Sequence, residues 1–237
     1  MSDDRPAAGH RLLELVEVMD VLRRECPWDA KQTHESLAGY LLQEAYEALE
    51  VIEEGDHQAL PEELGDVLLQ VVFHARVAEE RGAEGFTIDD VAGAIVDKLI
   101  RRHPHVFSDA AVEGSEDVRA NWETIKAAER AEKGEHDSSV LHGVPFGQPA
   151  ALLSFELQKR AVSNGVPEDL IADDGAAGGE LFAAIDAERR RAADPELDLR
   201  AAARRFDHRV REAEAKARAD GNDPRSLTPD QWRQYWV

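Results

Sequence analysis

Cysteine, aromatic residues and long apolar runs are all scarce in this sequence. The 237 residues include a single cysteine, Cys26, so the chain cannot form an internal disulfide framework. The segment from Met1 to His10 has no apolar stretch of the kind that a signal peptide needs. No apolar run approaches the ~18 residues of a membrane span, because Gln70 interrupts even Val67 to Phe73. These absences predict a cytoplasmic protein with no membrane partner.

Positive charge is scarce as well. The chain has 49 Asp and Glu residues against 28 Lys and Arg residues, which gives a formal net charge of −21. Repulsion between such a chain and a phosphate backbone argues against nucleic acid as a direct partner. The excess acid indicates either a solvated surface or carboxylates gathered to hold cations, and the positions of the acids must distinguish the two.

β-Branched alternation is also scarce, while apolar residues recur at steps of three and four. This periodicity predicts an all-α chain folded as a helical bundle. Pro27, Gly55 and Pro104 supply stop signals, and the third helix, which is apolar on almost every side, should be largely buried. The predicted helices lie over about residues 12–22, 41–52, 61–81, 87–103 and 115–133.

Two helical domains are predicted. Residues from about 134 to 149 have the glycine, proline and polar composition of a connector, so the domains should span residues 1–149 and 150–237. The second domain looks like a degenerate copy of the first, because Arg205 and Arg209 repeat the spacing of Lys98 and Arg102.

Two pairs of acids are candidates for chemistry. Glu44 and Glu47 lie three residues apart on the second helix, and Glu63 and Asp66 do so on the third, so each pair shares a helix face. In a chain this acidic, one such pair is more often a solvated surface. On the third helix, however, Glu63 and Asp66 continue through Gln70 and His74 as a narrow polar stripe on an otherwise apolar helix. Charge buried in this way requires compensation.

A divalent cation would provide that compensation. If the two helices are antiparallel, the four carboxylates surround one small volume, and like charges ~4 Å apart cost about 4 kcal/mol per pair at an effective dielectric near 20. Hard oxygen ligands favour Mg²⁺, or Mn²⁺ as a substitute. A di-iron bundle would instead use Glu-x-x-His pairs, and the only one here, Glu54 to His57, spans a glycine turn.

Opposite charge comes from the fourth helix. Lys98 and Arg102 lie one turn apart. They are either cations near a helix end whose stems pack on the apolar surface, or ligands of a polyphosphate. Trp122 and Lys126, also one turn apart, offer a ring and a further cation, although Trp122 could equally be an ordinary core or interface aromatic. Acids that bind metal and cations that bind phosphate together predict a polyphosphate site.

Several ordered motifs then resemble the MazG family of nucleoside triphosphate pyrophosphohydrolases over about residues 11–133. They are CPWD, QTHESL, the two acidic pairs, KLIRRHPHVF and WETIK. The resemblance implies the fold of the all-α NTP pyrophosphatases, a homodimer or higher oligomer, and Mg²⁺-dependent hydrolysis of (d)NTPs to the monophosphate and pyrophosphate in nucleotide-pool house-cleaning. By position, it implies that Glu44, Glu47, Glu63 and Asp66 bind metal. It also implies that the nucleotide is contacted by Lys98, Arg102, Trp122 and Lys126.

The chain departs from the family pattern in two ways. The family often has EExxE where this chain has Gln43 before Glu44, which leaves the general base unassigned, and the second domain lacks an ExxE helix. We therefore predict that the first domain is catalytic, through attack of a metal-activated water on the α-phosphorus, and that the second is structural. The alternatives are a non-catalytic helical regulatory module, or an enzyme for another nucleotide such as dUTP, dCTP or phosphoribosyl-ATP.

Overall fold

All of the elements in the described part of the chain are helices. The computed structural model describes residues 9–108, 139–171 and 175–236, together with Gly114 and Ile125. Over these ranges no strand is formed, and the all-α prediction is confirmed. The α-helices are α1 His10–Glu25, α2 His34–Glu54, α3 Leu60–Glu79, α4 Ile88–Arg102, α5 Pro104–Phe107, α6 Ala150–Ser163, α7 Gly179–Arg190, α8 Pro195–Ala219 and α9 Pro229–Tyr235.

The chain divides into two compact units, Met1–Gly134 and Glu135–Val237. The division falls at the start of the predicted connector. That the second unit is a degenerate, non-catalytic copy of the first stays a prediction. The predicted fifth helix, Ser115 to about Lys133, lies outside the described residues.

The core of the first unit lies where α1, α2 and α3 meet. It is formed by Met19 of α1, Leu37 of α2, and Val72 and Phe73 of α3, and Ile88 at the start of α4 packs against it. The buried residues of α3 begin at Gln70, and Leu64 near its beginning is 49% exposed. The prediction that the third helix is largely buried therefore holds only for its second half, because the core lies at that end.

Local sequence signals set the helix boundaries. Thr33 and Thr87 each form a capping box, with Ser36 at the start of α2 and with Asp90 at the start of α4. α1 ends at Glu25, before Pro27, as the sequence predicts. α2 ends at Glu54, and the next residue, Gly55, caps it with a φ of 72°, in the left-handed region that favours glycine. These ends agree with the predicted stop signals.

A buried arginine joins the ends of α1 and α3. Arg23 is 8% exposed, and its Nε and Nη2 donate to the two carboxylate oxygens of Glu80, each at 2.8 Å. Its Nη1 donates to the backbone carbonyls of Asp29 and Gln32, the latter at 3.0 Å. These hydrogen bonds satisfy the guanidinium and also hold the segment that leads into α2. Nothing in the sequence pattern singles out Arg23.

α4 is amphipathic, but the described residues of the first unit do not bury its apolar stripe. None of its residues is buried, and Ile95 and Leu99 are each 46% exposed. Only its first residue, Ile88, packs against the core. The predicted helix is therefore confirmed, whereas most of its apolar face lacks a partner within the described residues of this unit.

The second unit has a smaller core and a buried acid. Tyr235 of α9 packs on Ala213 and Ala217 of α8, and its hydroxyl donates to Asp220 Oδ2 at 3.1 Å. Asp186 of α7 is 4% exposed and accepts hydrogen bonds from Arg189 and Arg190. α6 packs against α7 and α8. None of the described helices in either unit combines the length and apolar composition needed to cross a bilayer.

Candidate metal centre

The site is built on the hairpin of α2 and α3. The short link after α2 begins with a Schellman turn, in which Gly55 N–H donates to Ile52 O at 3.2 Å and Asp56 N–H donates to Val51 O at 3.1 Å. The Asp56 carboxylate accepts from the backbone N–H of Gln58 and of Ala59, just before α3 begins. A link this short between two packed helices makes them antiparallel, so their facing acids come level.

Three of the four predicted ligands come together. Glu44 of α2 and Glu63 and Asp66 of α3 each offer a carboxylate oxygen, and the three oxygens lie within 4.8 Å of one another. All three side chains are half-buried, so the group opens to solvent. We call Glu44, Glu63 and Asp66 the acidic cluster. Among the residues that the structure describes, no other set of three metal-binding side chains lies this close together.

The cluster carries uncompensated negative charge. Burial raises the pKa of Glu44, and Glu47, Asp66 and Glu63 add to that rise. Burial likewise raises the pKa of Glu63, with Glu47 and Asp66 as charged neighbours. An adjacent lysine or arginine would oppose these rises, and no described lysine or arginine has such an effect on either pKa. Within the described chain, therefore, no cation neutralises the cluster, and three hard oxygen donors in this state suit Mg²⁺ or Mn²⁺.

Glu47, the fourth predicted ligand, lies at the edge of the cluster. Its carboxyl is within hydrogen-bonding reach of Glu44, and this contact helps to raise the pKa of Glu44. Its Oε1 accepts from Gln43 Nε2 at 2.9 Å. In the sequence, Gln43 stands out only as a departure from the family pattern. In the structure this residue orients Glu47 from one turn earlier on α2.

The polar stripe of α3 continues from the cluster into the core. Gln70 is 6% exposed, and neither its Oε1 nor the buried Nε2 of His74 has a hydrogen-bond partner in the described part of the chain. His74 Nδ1 lies 2.8 Å from Nδ1 of His34, the first residue of α2, and the two rings are stacked with centroids 5.1 Å apart. Burial lowers the pKa of His74, and His34 lowers it further. No pattern in the sequence predicts this contact between the two histidines.

The predicted phosphate-binding cations lie on a neighbouring helix. Lys98 is exposed and Arg102 half-buried, one turn apart near the end of α4, and α4 packs against α3. Neither is among the charged groups that shift the pKa values of Glu44 and Glu63. Their role toward substrate stays a prediction. Trp122 and Lys126 lie outside the described residues.

Comparison with known proteins gives the same family as the motifs. Residues 32–107 match the model of the MazG nucleotide pyrophosphohydrolase domain. The chain is 47% identical over 209 residues to an uncharacterized 26.1 kDa protein from the blaB 3′ region of Streptomyces cacaoi, covering 87% of this chain and 84% of that protein.

Two proteins of Thermotoga maritima are also similar. One, named nucleoside triphosphate pyrophosphohydrolase/pyrophosphatase MazG, is 39% identical over 252 residues, covering 97% of this chain and 95% of that protein. The other, a MazG-related protein of known crystal structure, superposes with a TM-score of 0.43 at 28% identity, over 48% of this chain and 98% of that one.

Proposed function

The chain belongs to the MazG family of nucleotide pyrophosphohydrolases, and we propose that it hydrolyses (d)NTPs to the monophosphate and pyrophosphate. The observation that carries the proposal is the acidic cluster, in which Glu44, Glu63 and Asp66 converge from two packed helices. Their charge has no described cation beside it. A purely structural cluster would repel itself without any compensating contact.

A divalent cation fits these residues. All the donors are carboxylate oxygens, which favours Mg²⁺, with Mn²⁺ as a substitute, over metals that prefer imidazole or thiolate. Glu44, Glu63 and Asp66 would hold the ion, and Glu47 would complete the set from its position beside Glu44. When bound, Mg²⁺ supplies a Lewis acid that polarises phosphate oxygens and lowers the pKa of water.

The remaining side chains have to hold an anionic substrate against an acidic protein. With a net charge of −21, the chain repels a triphosphate at long range, so cations are needed at the site itself. We assign Lys98 and Arg102 to the β- and γ-phosphates, with Trp122 and Lys126 as further contacts. With the β- and γ-phosphates held by these cations, the α-phosphorus would face the acidic cluster. Water then attacks that phosphorus and gives up a proton to solvent, the bond from the phosphorus to the α–β bridging oxygen breaks, and pyrophosphate leaves.

The protein should work as a homodimer or higher homo-oligomer. α4 exposes Ile95, Val96, Leu99 and Ile100, each by 46% to 50%, on the helix that carries Lys98 and Arg102. An apolar stripe of this kind is usually buried in the working form of a protein. A second copy that covered it would also screen the cations from bulk solvent.

The test is a panel of NTPs and dNTPs incubated with the protein, with and without Mg²⁺, followed by identification of the products. We expect NMP and pyrophosphate only when Mg²⁺ is present. Asp66→Asn should abolish turnover while leaving the helical circular dichroism spectrum unchanged. NDP and orthophosphate as main products, or full turnover in EDTA, would refute the proposal.

A further inference from the structure

The second unit has an open groove between α6, α7 and the start of α8. Its volume is about 940 Å³, and apolar side chains form most of its wall. Three of them, Leu170, Leu181 and Leu199, are 63% to 73% exposed. Apolar side chains that are grouped in this way at a surface usually mark a binding site. The proposed reaction uses none of these residues.

The wall that α7 contributes has the spacing of a helix-packing face. Leu181, Ala184, Ile185 and Glu188 lie at steps of three and four residues. They therefore share one side of α7 over about 10 Å of its axis, which is about two turns. A second helix packs on such a stripe by laying its own side chains between these residues, and the short side chain of Ala184 allows a close approach.

In the first unit, α2 covers the corresponding face of α3. The predicted repeat aligns Glu180 with Asp66, since each acid follows a glycine in the first half of its helix. This alignment places Glu188 at the position of His74, which contacts the first residue of α2. Between α6 and α7, however, the described residues form only the 3₁₀ turn Glu168–Leu170. The groove therefore lies where a counterpart of α2 would pack.

The groove also carries charge of one sign. Its polar side chains are Ser154, Glu188 and Asp198, and none of its lining residues is lysine, arginine or histidine. The Glu188 carboxylate lies 2.9 Å from Nη1 of Arg191. Asp198 is exposed, and no lysine or arginine of the described chain lies within ion-pair distance of it. The groove therefore favours a basic occupant over an acidic one.

We propose that this groove binds an amphipathic α-helix of another protein, with apolar side chains facing α7 and basic side chains beside Asp198. An apolar helix face laid into an apolar groove is a common mode of recognition, and anchors one turn apart match the stripe on α7. The net charge of −21 would attract a basic helix and repel an acidic one at long range. The proposal does not depend on hydrolysis in the first unit.

The experiment is fluorescence anisotropy of a labelled peptide of about 18 residues, long enough to form a helix, with leucine and alanine on one face and lysine on the other. Its counterpart has glutamate in place of every lysine. The full chain is titrated into each peptide in EDTA without nucleotide. The key variant is Leu181→Gln with Ala184→Gln, at two exposed positions of the groove. The matched control is Leu12→Gln with Leu13→Gln, at exposed apolar positions of α1.

We expect the lysine peptide to bind at least about tenfold more tightly than the glutamate peptide, and the key variant to lose about tenfold or more in affinity for it. The control should stay within about twofold of the unaltered chain. Asp198→Asn should weaken the lysine peptide by about two- to fivefold, because an exposed ion pair contributes little. Asp207→Asn, which removes the same charge from α8 away from the groove, should have a smaller effect.

Four results would overturn the proposal. The first is no binding of the lysine peptide to the unaltered chain. The second is an equal loss in the key variant and the control, which would indicate general attraction to an acidic protein. The third is equal binding of the two peptides. The fourth is dissociation of the chain's own oligomer in the key variant, measured by sedimentation velocity, which would show that a second copy of this chain covers the groove.

Discussion

Glu63→Gln should stabilise the metal-free protein and also remove the stabilisation that Mg²⁺ provides. The pKa of Glu63 is raised by burial, then by Glu47 and Asp66, so the native state holds a proton there more tightly than the unfolded chain does. The resulting penalty is absent at pH values below the ordinary glutamate pKa of about 4.3, and it is complete once the pH exceeds the raised native pKa. At pH 7.5 the neutral amide avoids this penalty.

The metal effect runs in the opposite direction and can be estimated by mass action. A ligand present at 100 times its dissociation constant adds about 2.7 kcal/mol to the stability of the state that binds it. For domains of about 60 to 250 residues, 1 kcal/mol corresponds to a shift in Tm of about 2–8 °C. Saturating Mg²⁺ should therefore raise the Tm of the unaltered chain by at least about 5 °C. The variant keeps only two of the three clustered carboxylates, so its shift should be much smaller.

Differential scanning fluorimetry in EDTA and across a Mg²⁺ series measures both effects. The matched control is Glu62→Gln, which removes the same charge from the adjacent, exposed position of α3. We expect the control to keep the full Mg²⁺ shift. The reasoning fails if Glu63→Gln shows the same Mg²⁺ shift as the unaltered chain, or if its Tm in EDTA at pH 7.5 is lower than that of the Glu62 control.

Three further predictions concern other parts of the chain. Lys98→Gln with Arg102→Gln should reduce kcat/KM for an NTP by about 100-fold or more, because two charged contacts are lost. Arg205→Gln with Arg209→Gln should change kcat/KM by no more than about twofold. Equal losses would contradict the prediction that only the first domain is catalytic. The pKa of His74 is lowered by burial and by His34, so its contribution to stability should be lost as the pH falls below about 6.5. Between pH 7.5 and 5.5 the Tm of the unaltered chain should therefore fall relative to that of His74→Gln, and parallel curves would refute this. Arg23→Met should cost on the order of 3 kcal/mol in urea unfolding, because it removes both 2.8 Å hydrogen bonds to Glu80, which keeps only a 3.4 Å contact with Arg76, and the hydrogen bonds to the carbonyls of Asp29 and Gln32. A cost below about 1 kcal/mol would show that these hydrogen bonds are dispensable.

Helix positions and the acidic cluster were predictable because their signals are local. Periodicity identified α1 to α4, and Pro27, Gly55 and the Thr87 capping box marked their ends. The spacing of Glu63 and Asp66, together with the short turn at Gly55, was enough to bring those acids to Glu44. Each step depended on residues that are close in sequence or joined by one short link.

Features that depend on distant contacts could not be predicted. Arg23 pairs with Glu80, 57 positions later, and His34 pairs with His74, 40 positions later. A helical wheel also does not show how deeply a residue is buried. It placed the residues of the α3 stripe in one sector, but it did not show that Glu63 is half-buried at one end and that Gln70 lies in the core. Depth depends on where the other helices pack, and the core around Phe73 lies at the far end of α3.

The net charge of −21 does not show where the acidic and basic groups without an ion-pair partner lie. In the first unit, Glu44, Glu63 and Asp66 lie together, and no described lysine or arginine pairs with them, so a divalent cation would balance their charge. In the second unit, Arg205 and Arg209 are exposed, and the Arg209 guanidinium lies over the ring of Trp236. Hydrolysis of a polyphosphate needs both kinds of group, whereas recognition needs only the second. The acids that come together in the described residues all belong to the first unit, so loss of turnover in Asp66→Asn, with every arginine of α8 intact, would locate the reaction in that unit.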